Sequence, residues 1–93
     1  MTDFSPSNNT IDKKLLDTIE DILFNNNIEL ELGQLYIVIN HMLKYSNFVI
    51  KYKNKVRNIK TYIHKTYGSL SKFIVKNTKY KIEEINGLSY IMT

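Results

Sequence analysis

Apolar residues follow two different spacings along this chain, and the order of the two constrains the fold more than any other feature. Apart from one short alternating stretch, they recur every three or four residues until Asn77, and they alternate with polar residues from Tyr80 onward. The first spacing places apolar side chains on one face of a helix, and the second places them on one face of a strand. The sequence therefore predicts helices followed by a C-terminal β-hairpin, a mainly α fold of the α+β class.

The chain has 93 residues, a length typical of one domain. Residues 1–9, which contain Ser5-Pro6-Ser7, are predicted to be a flexible lead-in, and residues 10–93 a single domain. Thr10 suits the N-cap of a first helix, which is expected to end at residues 25–27 because asparagine tolerates the left-handed conformation. Residues 28–32 alternate and predict a short strand or an extended entry to the second helix.

The second helix is expected over residues 33–44; its β-branched residues also allow a strand, but its length favours a helix. Ser46-Asn47 marks a break. Helical spacing then predicts a third helix reaching Tyr67-Gly68, with an apolar face formed by Phe48, Tyr52, Val56, Ile59, Ile63 and Thr66. Ser69 is predicted to cap a fourth helix over residues 70–77, with Leu70, Phe73 and Ile74 facing inward.

Asn86-Gly87 predicts the turn of the C-terminal hairpin, and two registers are open. A two-residue turn places Glu83 opposite Tyr90, which mixes the two faces. A three-residue loop over residues 85–87, with Gly87 left-handed, separates the faces and is preferred because register follows such patterns. One face would then hold Tyr80, Ile82, Leu88, Tyr90 and Met92.

Charge is segregated along the chain. Residues 1–43 hold two basic and seven acidic residues, a net charge of −5, whereas residues 44–82 hold eleven basic residues and no acidic one. An AT-rich genome, as in some large DNA viruses or protists, would enrich lysine but would not separate the two signs. The segment 44–82, called the basic segment below, therefore predicts a nucleic-acid partner.

The order of the predicted elements is that of a winged helix-turn-helix. Residues 67–74 (Tyr-Gly-Ser-Leu-Ser-Lys-Phe-Ile), Tyr80-Lys81-Ile82 and residues 86–92 resemble the LOTUS, or OST-HTH, family, as does the stretch Leu30–Leu35 before the second helix. The resemblance implies that residues 69–77 form the recognition helix and residues 79–92 the wing. It also implies RNA binding and, for some members, docking of helicase-type proteins.

The candidate nucleic-acid contacts are residues of the basic segment. Lysine contacts phosphate as a point charge, whereas base reading more often uses Arg, Asn and Gln, so weak sequence specificity is expected of a chain with one arginine. Ser71 and Asn77 are the candidates for base contact. The expected phosphate contacts are Lys51, Lys53, Lys55, Arg57, Lys60, Lys72, Lys76, Lys79 and Lys81.

Other functional classes find less support in the sequence. There is no cysteine, no glycine-rich phosphate loop and no metal-ligand spacing around His41 or His64, so no enzyme, metal or cofactor is expected. No membrane contact and an intracellular location, cytoplasmic or nuclear, are expected, with a virus-associated one left open. Most tyrosines are assigned to the core, with Tyr62 the best candidate for exposure. The alternative function is a protein–protein adaptor or an oligomerising structural component that uses the acidic–basic polarity, or binds an acidic partner, with Phe24 and Tyr36 as contact residues.

Overall fold

The computed structural model describes residues 4–26 and 30–92, with the side chain of Asn26 not described. These residues form a compact α+β domain with four helices and two small antiparallel sheets. The helices are α1 (Asn8–Asn26), α2 (Leu32–Tyr45), α3 (Ile59–Thr66) and α4 (Leu70–Asn77). The strands are β1 (Phe4–Ser5), β2 (Leu30–Glu31), β3 (Ile50–Tyr52), β4 (Lys55–Arg57), β5 (Lys81–Ile85) and β6 (Leu88–Met92).

One core is shared by all four helices and by the strands packed on them. Its fully buried members include Ile11, Leu15 and Ile19 of α1 together with Leu35 and Ile39 of α2, each at the helical spacing predicted. In α4 the predicted inward residues Leu70, Phe73 and Ile74 are all buried, so the assignment of its faces is confirmed. Within the described ranges, none of the helices combines the length and apolar character that crossing a bilayer requires.

Helix ends follow side-chain caps, with one correction. Ser69 caps α4 as predicted, because its hydroxyl accepts the backbone N–H of Lys72 at 3.2 Å. At α1, however, the Ser7 hydroxyl contacts the N–H of Thr10 at 3.4 Å, so the helix begins before Thr10. Residues 4–9, which the sequence places in a flexible lead-in, supply β1 and the first two residues of α1. The predicted end of α1 at Asn27 and the Ile28-Glu29 part of the strand lie outside the described residues.

The predicted third helix is wrong over residues 48–58. A hairpin, β3–β4, replaces it, and the helical part begins at Ile59. Lys53 and Asn54 form the two-residue turn with positive φ angles of 51° and 65°, the conformation that matches the twist of paired strands. β1 pairs with β3, aligning Phe4 with Tyr52, so the N-terminal residues complete this sheet in the order β1-β3-β4.

The C-terminal hairpin adopts the register that the sequence disfavoured. Asn86 and Gly87 both have positive φ, so the turn has two residues and Ile85 pairs with Leu88. Glu83 consequently lies opposite Tyr90, and the predicted three-residue loop is wrong. The reason is that β2 pairs with β6 and aligns Leu30 with Ile91, so that Ile91 rather than Tyr90 enters the core. The observed register then places Ile82 of β5 opposite Ile91, on the same face of the hairpin.

Candidate nucleic-acid interface

The predicted contact residues are all on the surface but do not share one element. The structure distributes them over the β3–β4 hairpin, α3, α4, the connection after α4 and the start of β5. Ser71 is half-buried, and every other predicted contact is exposed. The five cations between positions 51 and 60 therefore do not share the predicted third helix, because Lys51, Lys53, Lys55 and Arg57 belong to the β3–β4 hairpin.

α4 and the turn before it form the clearest local site. A groove of about 540 Å³ runs between the end of α3, α4 and β5. Three predicted contacts, Ser71, Lys72 and Lys76, line this groove. Its other lining residues are Thr66, Tyr67, Val75 and Ile82.

The two lysines of this groove lie back over the α3–α4 turn. A Cβ placed on Gly68 would lie 3.5 Å from the Lys72 side chain, and the Lys76 ammonium lies 5.6 Å from the centre of the Tyr67 ring. Gly68 has a φ of 94°, so glycine is favoured at this sharp turn. The turn therefore brings both ammonium groups to the edge of α4 that borders the groove. The groove lined by these residues is called the α4 groove below.

The two candidates for base contact are tied into the ends of α4. The Asn77 amide donates to the Phe73 carbonyl at 2.9 Å, and the Ser71 hydroxyl lies 3.1 Å from that of the capping Ser69. These contacts use part of each side chain's hydrogen-bonding capacity within the protein itself.

The hairpin divides its cations between faces. Cross-strand partners point to the same side of a sheet, so Lys55 lies beside Tyr52, whereas Lys51 lies beside Val56 on the other side. Arg57 lines a separate cavity of about 420 Å³, together with Lys44 and residues of α2. Lys51 and Arg57 therefore do not form one continuous row with the lysines of the α4 groove.

Sequence reasoning missed the role of Asp12. Its carboxylate accepts hydrogen bonds from the Tyr62 hydroxyl at 2.6 Å and the Tyr67 hydroxyl at 2.5 Å, which ties α1 to α3 and to the turn before α4. Burial and this carboxylate raise the pKa of Tyr67 to about 12, and the same causes raise the pKa of Tyr62 above its ordinary value. Tyr62 is fully buried, so its predicted exposure is wrong.

The other aromatic predictions are mixed. Tyr45 is 85% exposed and stacks beside His41, so it is not one of the tyrosines that pack in the core. Phe24 is 86% exposed, as expected for a contact residue, whereas Tyr36 is half-buried. Among the described residues no cluster of three or more His, Asp or Glu side chains could hold a metal ion.

Comparisons with protein-family models, with curated proteins and with solved structures return no match for this chain.

Proposed function

We propose that this chain is a small winged-helix protein that binds nucleic acid, without catalysis, through phosphate contacts made by its basic segment. The observation that carries the proposal is the α4 groove, where the outer face of α4 presents two exposed lysines beside an open cleft. The residues that line this groove in the described part of the chain include no Asp or Glu, so their net charge favours an approaching phosphate.

The arrangement of elements supports a winged helix. α3 and α4 are joined by a three-residue turn containing Gly68, as in helix-turn-helix motifs, and the β5–β6 hairpin follows directly. The sheet order β2-β6-β5 places a strand from before α2 against the hairpin. In such a fold α4 would lie against the nucleic acid and the lysines at positions 79 and 81 would approach the backbone at the base of the wing. The LOTUS-like residues at positions 67–74 form this turn and the start of α4, and both DNA and RNA are targets to be tested.

The proposal is tested by charge reversal in the α4 groove. Lys72→Glu/Lys76→Glu should abolish the micromolar binding expected for labelled duplex DNA, single strands and hairpin RNA, because both substitutions place negative charge against phosphates. The matched control is Lys13→Glu/Lys14→Glu, which changes the net charge equally outside the basic segment. Unchanged binding by the α4 variant, with helical content preserved by circular dichroism, would contradict the proposed surface.

Salt dependence provides a second readout of the same proposal. If about six phosphates are neutralised, log affinity should fall with log salt at a slope of roughly −5. Weak sequence specificity is proposed for the same interface, because lysine supplies nearly all of its charge. A near-zero slope, or strong preference for one sequence, would contradict a phosphate-directed mode.

A second candidate is head-to-tail association, in which the acidic face of one copy meets the basic segment of another. Phe24 favours it, because this exposed ring lies one turn from Glu20 and Asp21 and two turns from Asp17 on the outer face of α1. A larger mass by light scattering at low salt, absent at high salt and in Phe24→Ser but kept in the exposed-residue control Val49→Ser, would support association. A monomer at both salt concentrations would exclude it.

A further inference from the structure

Two lysines approach the Tyr52 ring at the tip of the β3–β4 hairpin, one from the hairpin and one from α3, and a third is the cross-strand partner of Tyr52. The ammonium groups of Lys53 and Lys65 lie 5.4 Å and 5.1 Å from the centre of this ring. Lys55 is the cross-strand partner of Tyr52, so its side chain leaves the same face of the hairpin. Lys65 belongs to the last turn of α3 and is not among the contacts predicted from the sequence.

Ring contacts hold Tyr52 in place beside these lysines. The Phe4 ring packs against it with centroids 4.7 Å apart, and Phe4 in turn meets the buried Tyr62 edge-on at 4.9 Å. Tyr52 is therefore fixed by β1 and by α3, and its π face attracts the two ammonium groups. With Phe4 and two cations against the ring, it has little free face on which a nucleobase could stack.

Like charges brought together repel one another unless an anion joins them. Within residues 4–26 and 30–92, the contacts that the structure gives for Lys53 and Lys65 are to the Tyr52 ring and not to a carboxylate. The Asp12 carboxylate accepts the hydroxyls of Tyr62 and Tyr67. An exposed cation–π contact contributes only about 0.5–1 kcal/mol, so the cluster keeps most of its capacity to attract an anion.

We infer that Lys53, Lys55 and Lys65 around Tyr52, called the hairpin cluster, form a second phosphate site, which takes a backbone phosphate of the nucleic acid bound at the α4 groove. This inference rests on the proposed function. Lys65 is followed by Thr66 and Tyr67, which line the α4 groove, so the end of α3 connects the two sites. Lysine is suited to this ligand because phosphate contacts of this kind need charge rather than a planar donor pair.

The test compares Lys53→Gln/Lys65→Gln with the equally charged control Lys13→Gln/Lys14→Gln in the full chain. Removing one lysine–phosphate contact should reduce the salt slope by about one, so the hairpin variant should show a slope smaller by about two and an affinity roughly tenfold or more weaker at about 0.1 M salt. Tyr52→Leu, which keeps all charges but removes the ring that gathers them, should show part of this effect. A slope equal to that of the control would overturn the inference.

The outcomes separate this inference from the proposed function. If Lys72→Glu/Lys76→Glu abolishes binding and the hairpin variant leaves the slope unchanged, only the hairpin cluster is rejected. If the wild-type chain binds no nucleic acid even at low salt, both are rejected. Titration with inorganic pyrophosphate, followed by amide shifts at residues 52–55 and 65, identifies a free-phosphate site; pyrophosphate shifts there with an unchanged oligonucleotide slope would overturn the assignment to nucleic acid.

Discussion

Asp12 shows how one residue can connect parts of the chain that are 50 and 55 positions apart. Its carboxylate receives the hydroxyls of Tyr62 and Tyr67, and the Tyr67 ring packs edge-on against Phe73 of α4 at 5.0 Å. A hydrogen bond to a charged acceptor contributes about 1.5–3 kcal/mol, and loss of the acceptor leaves two shielded hydroxyls without this partner. The orientation of α4 therefore depends on a residue near the start of α1.

Replacing Asp12 with alanine should lower the free energy of unfolding by about 3 kcal/mol, because two charge-assisted hydrogen bonds are removed together. Asp17, exposed on the same helix, provides the control, and Asp17→Ala should change stability by less than about 0.5 kcal/mol. Urea unfolding of both variants measures the difference. Equal free energies of unfolding for the two variants would show that the Asp12 contacts make no net contribution to stability.

The two tyrosine hydroxyls also predict a loss of stability in alkali. The pKa of Tyr67 rises from 10.0 to about 12, and that of Tyr62 is also raised, mainly because burial disfavours the phenolate. Since the folded-state pKa exceeds the unfolded one, this stabilisation is complete below pH 10.0 and is lost as the pH rises toward about 12.

Urea unfolding at a series of pH values across this window measures the effect. The variant Tyr62→Phe/Tyr67→Phe should be less stable at neutral pH, yet its stability should depend less steeply on pH above 10.0, because the groups that titrate have been removed. Parallel curves for the variant and the wild type would assign the alkaline loss to other groups.

At the scale of elements, short local signals determined α1, α2 and α4 but not the β3–β4 hairpin. Helical spacing over 14 to 19 residues predicts α1 and α2 from the sequence. Gly68 and the N-cap Ser69 mark the start of α4. Strands of three residues are too short to show alternation, and Tyr52 and Val56 happen to fit a helical repeat. The available signal was Asn54 in the polar run between the two strands, since asparagine tolerates positive φ.

The turn of the β5–β6 hairpin gives a prediction at this scale. Gly87 has a φ of 81° and no atom within 4 Å of an added Cβ, so a substitution there tests the backbone alone. Gly87→Val should cost about 1–2 kcal/mol in unfolding free energy, because a β-branched residue disfavours the left-handed region. Asn86→Gly, which suits positive φ, should be nearly neutral; a similar loss in both variants would indicate a different turn.

At the scale of the whole molecule, the N-terminal residues belong to the folded domain. Phe4 is 7% exposed and contacts both Tyr52 and Tyr62, so β1 closes the sheet that carries the hairpin cluster. Phe4→Ala should destabilise the chain by about 3 kcal/mol through loss of buried apolar area. Phe24→Ala removes the same group from an 86% exposed position and should change the unfolding free energy by less than about 0.5 kcal/mol. Similar Tm values for the two variants would contradict a structural role for β1.

The sequence by itself determined the α+β class, the helices with long repeats or clear caps, the β5–β6 turn at Asn86-Gly87 and the separation of acidic from basic residues, because each of these is written in neighbouring positions. The tertiary structure alone decided the β3–β4 hairpin, the register of β6, the Asp12 contacts and the grouping of Lys65 with Lys53. Each of these depends on partners distant in the chain, such as Phe4 for Tyr52 and Leu30 for Ile91, whose pairing is stabilised only when the core is closed.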